Sequence, residues 1–193
     1  MKRTNTFEAV PLTESDRELL LRFLDASAAC WNEVNHTRRQ RFFDGDDVWA
    51  VDCIYDDCVD VLGGATAQSM IKRNESAWQS FFALLDEPSE DPSPPGYWGN
   101  EGDGRTLQTH VRNDAYDIRW GERSRLDIRV GQHLKGELGI GYYERLRLEV
   151  GGKTPLGGKT RPAHGRIRQH RRYLSSILAG HGHSGFDYES DWW

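Results

Sequence analysis

No stretch of this sequence approaches the twenty or so consecutive apolar residues of a membrane-spanning helix. Its opening, MKRTNTFEAV, has no hydrophobic region of a signal peptide. Those two absences predict a cytoplasmic protein with no membrane partner. Cysteine is scarce as well. Cys30, Cys53 and Cys58 are too few and too irregularly spaced for a disulfide framework or a zinc site, so all three read as reduced packing residues. Cys53 and Cys58, five apart, fall on different helix faces. Basic residues are in deficit over most of the chain. Residues 1–150 carry nine more acidic than basic side chains, whereas 151–193 carry four more basic than acidic. With arginine strongly preferred to lysine, that balance describes a surface kept hydrated in concentrated salt, the mark of a halophile. It argues against a long-range basic field for nucleic acid. In molar salt, where the Debye length is only ~3 Å, affinity must come from close hydrogen bonds and stacking.

Aromatic residues, by contrast, are plentiful: seven Trp, seven Tyr and seven Phe exclude a solvated, disordered chain. A length of 193 residues suits one large domain or two small ones. The pivot is Pro88–Asn100, PSEDPSPPGYWGN, whose prolines and glycines stop both helix and strand. Before it lie a short strand at 5–12 and three helices. The first runs from about Glu14 to Phe43, capped by Thr13 and Ser15, on the line Leu20, Phe23, Ser27, Trp31, Val34, Arg38, Phe42. The second follows Val48, Val51, Tyr55, Cys58 and Leu62, and the third Ala67, Ile71, Asn74, Trp78, Phe81 and Leu85. After the pivot the period becomes two. Alternating runs at 106–111, 116–120, 125–130 and 145–150, with turns at Asn113-Asp114, Gly121-Glu122 and Gly131, predict a small antiparallel sheet. From Gly151 no period is sustained, and an irregular tail is expected. The fold class is α+β.

Candidate site residues follow from chemistry and placement. Arg38, Arg39 and Arg41 close the first helix, where cations also suit the macrodipole. Arg38, however, lies on the apolar line, which solvation does not explain. Together with Lys72 and Arg73 on the third helix, these would touch phosphates or base edges. Tyr97 and Trp98 would stack on bases, or else cap the edge of a core. Arg119, Arg123 and Arg125 stand on the open face of the sheet, as a phosphate track would require. The same arginines equally fit a solvated face of paired charges. Asp52, Asp56 and Asp60 repel mildly at helical spacing and read as a solvated row. His164, His170, His181 and His183 have no organised spacing. Neither catalytic residues, a metal nor a cofactor is expected.

Four runs carry a resemblance: Trp31-Asn32-Glu33-Val34-Asn35; residues 62–68, LGGATAQ; residues 74–82, NESAWQSFF; and residues 94–98, PPGYW. Through them residues 1–150 resemble the N-terminal part of TnpB (OrfB-type) proteins in their haloarchaeal form, the transposon-encoded RNA-guided DNA nucleases. The resemblance implies a wedge β-barrel built from residues 1–12 and about 103–150. A helical, helix-turn-helix-like recognition domain at 13–90 would interrupt it, with 91–102 as linker. It implies guide RNA and target-adjacent double-stranded DNA as partners. The family's RuvC-like nuclease, whose carboxylates hold two metal ions, and its four-cysteine zinc element have no match here. Residues 151–193 do not resemble the family's continuation and would be read out of frame. The expectation is a non-catalytic remnant. Two alternatives stand beside it: a nuclease completed in trans by a separate RuvC-like chain, and a decaying open reading frame without function.

Overall fold

A computed structural model of the chain describes residues 2–87, 89, 91–99, 107–151, 173–180 and 183–191, with backbone alone for 2–7, 173–180 and 183–191. The order is β1 (Lys2–Pro11), α1 (Glu14–Asp44), α2 (Asp52–Leu62), α3 (Gly64–Leu85), β2 (Leu107–Val111), β3 (Tyr116–Arg119), β4 (Ser124–Ile128), α4 (Gln132–Glu137), β5 (Leu146–Gly151), β6 (Tyr173–Gly180) and β7 (His183–Asp191). Helices and an antiparallel sheet make a mixed α+β architecture.

The start of α1 is built by its capping residues. Thr13 Oγ1 accepts from the Asp16 amide at 3.1 Å, and the same hydroxyl donates to the Asp16 carboxylate. Asp16 is itself buried and accepts the Arg147 amide at 3.0 Å, which ties the helix start to β5. Three turns further on, the Ser27 hydroxyl bridges the Phe23 carbonyl and Thr109 Oγ1 of β2. The helix ends at Gly45, whose φ of +77° is a left-handed conformation that suits glycine. The line Leu20, Phe23, Ser27, Trp31, Val34 and Arg38 is buried throughout. One contiguous core runs from Leu126, Ile128, Leu146 and Leu148 on the sheet, through α1, to Ile54, Cys58, Ala67 and Met70 on α2 and α3. Val48, Trp78 and Phe81 form a satellite cluster. Residues 48–51 precede α2 instead of opening it.

Three expectations are corrected. The sheet is not a closed barrel: its order is β2-β6-β7-β1-β5-β4-β3, so β2 and β3 are edges. The 112–115 link between them turns back on itself (the Ala115 amide donates to the Arg112 carbonyl) and makes no ladder. Four residues still hold the two edges within about 18 Å at that end. The tail is not irregular throughout either, since β6 and β7 form an antiparallel hairpin seated between β2 and β1. Phe186 and Tyr188 alternating with Asp187 and Glu189 are the strand signal there. The basic run at Arg166–Arg172, with His164, His170 and His181, lies outside the described residues. Finally, Cys30 and Cys58 are not reduced packing residues but a disulfide, Cα–Cα 5.8 Å. Each sits on the buried face of its helix, so the packing of α1 on α2 brings them together. Cys53, on the other face of α2, is exposed and unbonded. No described helix is long and apolar enough to cross a membrane.

Candidate nucleic-acid interface

Residues 31, 32, 35, 36 and 39 share one face of α1 at i, i+1, i+4, i+5 and i+8. Along that face runs the proline-rich strap 91–99. A strap without secondary structure has no ladder for its carbonyls, so α1 side chains supply the partners. Trp31 Nε1 donates to the Gly96 carbonyl at 3.1 Å. Asn32 grips Trp98 twice, accepting its amide at 2.7 Å and donating to its carbonyl at 3.0 Å. Asn35 Nδ2 donates to the Pro95 carbonyl at 2.8 Å, and Arg39 donates to the same carbonyl at 3.1 Å. Trp98 lies flat on Trp31, ring centroids 4.4 Å apart. Tyr97 stays 41% exposed, under the Arg39 guanidinium and beside His36. One face of Trp98 is thus already stacked on Trp31, and Tyr97 is partly exposed.

A second network lies beneath the first. Asn35 Oδ1 accepts from Trp78 Nε1 at 2.9 Å and faces Asn74 Nδ2 at 3.5 Å. Asn74 Oδ1 in turn accepts from Arg38 at 3.0 Å. Arg38 is only 2% exposed, with its guanidinium over the Trp49 ring. Burial lowers its pKa below the ordinary arginine value, opposed by the charge of Glu75. Its position on the apolar line therefore reflects a role inside the α1–α3 joint. Three of the four resembling runs, at 31–35, 74–82 and 94–98, meet in these two networks. Sequence reasoning noted the amides around Trp31 but missed what they hold. The signal was the shared helix face.

The sheet treats its arginines differently. Arg125 and Arg119 converge on the buried Asp127. Arg125 Nη2 donates to Oδ2 at 2.9 Å while its Nε stands 2.7 Å from Oδ1, off-line for a hydrogen bond, and Arg119 Nε is 3.4 Å away. Arg145 pairs with Asp117, and Arg147 with Asp16. These arginines are thus paired with carboxylates, within β4, between β3 and β4, and from β5 to the start of α1. Arg123 stands apart, exposed in the β3–β4 turn beside Trp120, which is 40% exposed.

Of the remaining candidates, Arg41 is half-buried and donates to the Asp47 carbonyl at 3.3 Å. Lys72 and Arg73 are exposed on α3 and make no ion pair among the described residues. Arg73 lies near enough to His110 of β2 to act on it. Burial first, and the Arg73 charge second, push the His110 pKa down to about 4. Its ring centroid is 6.3 Å from that of Trp98. Arg73, His110 and Trp98 of the strap therefore lie near one another, Lys72 is exposed next to Arg73 on α3, and Arg119, Arg123 and Arg125 lie elsewhere, on the β3–β4 hairpin.

No protein-family model matches the chain. The sequence is 34% identical over 139 residues to the TnpB-like protein of Acidianus two-tailed virus. The chain is similar to a TnpB-like protein. The match takes in 61% of this chain and 28% of that relative, so the chain spans little more than a quarter of the relative's length.

Proposed function

We propose that this chain is the nucleic-acid-gripping part of a transposon-associated protein of the TnpB family, holding guide RNA and the DNA duplex beside the target. The observation that carries the reading is the 34% identity to a TnpB-like protein, coupled to a strap clamp made from the very runs that resemble the family. The clamp fixes the α1–strap border, against which Lys72, Arg73 and Tyr97 stand open to a ligand. Arg39 steadies Tyr97, and Arg38 acts from inside as a positioning residue. Arg123 and Trp120 offer a second, smaller contact. The acidic surplus fits a medium of high salt, in which these short-range contacts outweigh any long-range field. Cleavage, in this reading, belongs to a RuvC-like nuclease segment or chain outside these 193 residues.

Filter retention of the full chain tests the reading. Structured RNA transcribed from the element's own end should be retained in preference to an unrelated RNA of equal length, and retention should fall with added salt as counterions are released. Equal retention of both RNAs, or none, would overturn it. Incubated alone with Mg²⁺, the chain should leave DNA intact, and a downstream nuclease segment should restore cutting.

A further inference from the structure

The run 62–68 is the one resembling segment that the clamp does not use. It forms the joint between α2 and α3, and it opens on a cleft of about 470 Å³. The joint is shaped by two glycines. Gly63, at φ +82°, lets the chain reverse straight from α2 into α3. Gly131 crosses it so closely that a Cβ there would lie 2.3 Å from the Val61 carbonyl oxygen. The crossing sets the first turn of the 22-residue α3 against Arg129. Gly63 supplies no side-chain cap, and the first bond of the helix is from the Ala67 amide to the Gly63 carbonyl. The amides of Gly64, Ala65 and Thr66 are therefore left over, at the positive end of the helix dipole. A second observation points the same way. Thr66 is 1% exposed, lines the cleft, and its hydroxyl has no partner among the described residues.

Charge in the cleft favours an anion. Asp114 is engaged by Arg112, and Arg145 by Asp117. Lys135 Nζ donates to the Tyr142 carbonyl at 3.0 Å, and Glu144 is the acidic neighbour that acts on it. Arg129 is exposed and makes no ion pair within 4 Å among the described residues, although, after the Arg112 hydrogen bond and charge, its charge helps hold the Asp114 carboxyl below its ordinary value. On the rim, Tyr143 is 91% exposed and meets Tyr142 edge to face. An aromatic ring held at the mouth of an anion pocket suits a ligand that carries both a phosphate and a flat ring.

We propose that this cleft is a nucleotide subsite: the phosphate sits on the first-turn amides of α3, Thr66 and Arg129, and the base stacks on Tyr143. The inference deepens the nucleic-acid reading above by adding a site on the sheet side of α3.

Adenosine monophosphate is the probe, followed by amide chemical shifts of the full-length chain. The expected result is saturable movement of the Gly64, Ala65 and Thr66 amides, with adenosine and inorganic phosphate each binding about tenfold more weakly. R129Q and Y143A should each weaken the monophosphate about tenfold, with R129K recovering part of the loss. Tyr143 is so exposed that Y143A keeps the fold. T66V, which removes the hydroxyl while keeping the shape, is a further check on the phosphate. An oligoadenylate with a 5′-hydroxyl that moves the same amides would assign an internal phosphate of a strand, and movement by the monophosphate alone a terminal one or a free nucleotide. Both support the subsite. Amides that stay still under the monophosphate, or R129Q and Y143A binding like wild type, would overturn it. Loss of element-RNA retention with the amide response intact would instead remove the functional reading and leave the subsite standing.

Discussion

Two regions rich in arginine show how differently one residue type can be used. On α1, Arg38 and Arg39 turn toward amides, strap carbonyls and aromatic rings, and with Asn35 they lock a helix, its neighbour and an irregular strap into one unit. On the sheet, Arg119, Arg125, Arg145 and Arg147 each meet a carboxylate, and of those carboxylates only Asp117 is exposed. The first arrangement is buried and over-determined. The second joins part-exposed guanidiniums to carboxylates that are mostly buried. Arginine in the sequence is therefore no guide to a phosphate contact. Lys72, Arg73, Arg123 and Arg129, which make no ion pair among the described residues, are the cations proposed to meet a ligand.

The sharpest way to break the contrast is at Asn35. N35A would leave Trp78 Nε1 and Asn74 Nδ2 without the Asn35 oxygen they share, each costing roughly 1–3 kcal/mol. A total loss of about 4 kcal/mol in urea unfolding is expected, with new protease cleavage in residues 91–99. Reducing the Cys30–Cys58 bridge removes a cross-link spanning 28 residues. On the chain-entropy account this costs about 3.5 kcal/mol, borne by the α1–α2 pair. A thiol titration alongside calorimetry would measure it.

These two predictions also mark where sequence reading succeeded and stopped. Periodicity located α1 to within a residue and found α3, β2, β3, β4 and β5, because each buries one face against the shared core. It extended α2 too far toward Val48, which packs on Trp78 and Phe81 from a turn. The six-residue α4 is too short to show a period. β6 and β7 were missed although Phe186 and Tyr188 alternate with acids. The disulfide was invisible because Cys30 and Cys58 meet only after two helices pack. Arg38 stood out correctly as anomalous, but its reason, Asn74, is 36 residues away. For the sheet, both the phosphate track and the paired face were open. The choice depended on cross-strand register, which places Arg125 and Arg119 together over Asp127.

Smaller effects sharpen the comparison further. His110 has a folded pKa of about 4, against about 6.5 when unfolded. The unfolded chain therefore binds its proton first. Stability is fully present above about pH 6.5 and is lost as pH falls toward 4, by at most about 3 kcal/mol. Urea midpoints across that range should show the slope, and H110N should flatten it. R119Q alone should have the smallest effect. It should cost about 1 kcal/mol or less, since Arg119 is largely exposed and Arg125 still holds Asp127, and that cost should shrink further with added salt.

The central claim is that nucleic acid meets the open cations beside the strap and not the carboxylate-bound arginines of the sheet. Filter retention of the element's RNA by K72E/R73E and by R119Q/R125Q, at one salt concentration and with both variants folded, tests it most directly. The account predicts that K72E/R73E loses at least about tenfold in affinity, with a shallower salt slope, and that R119Q/R125Q retains RNA like wild type. Equal retention by K72E/R73E and wild type, or a larger loss in R119Q/R125Q, would contradict it.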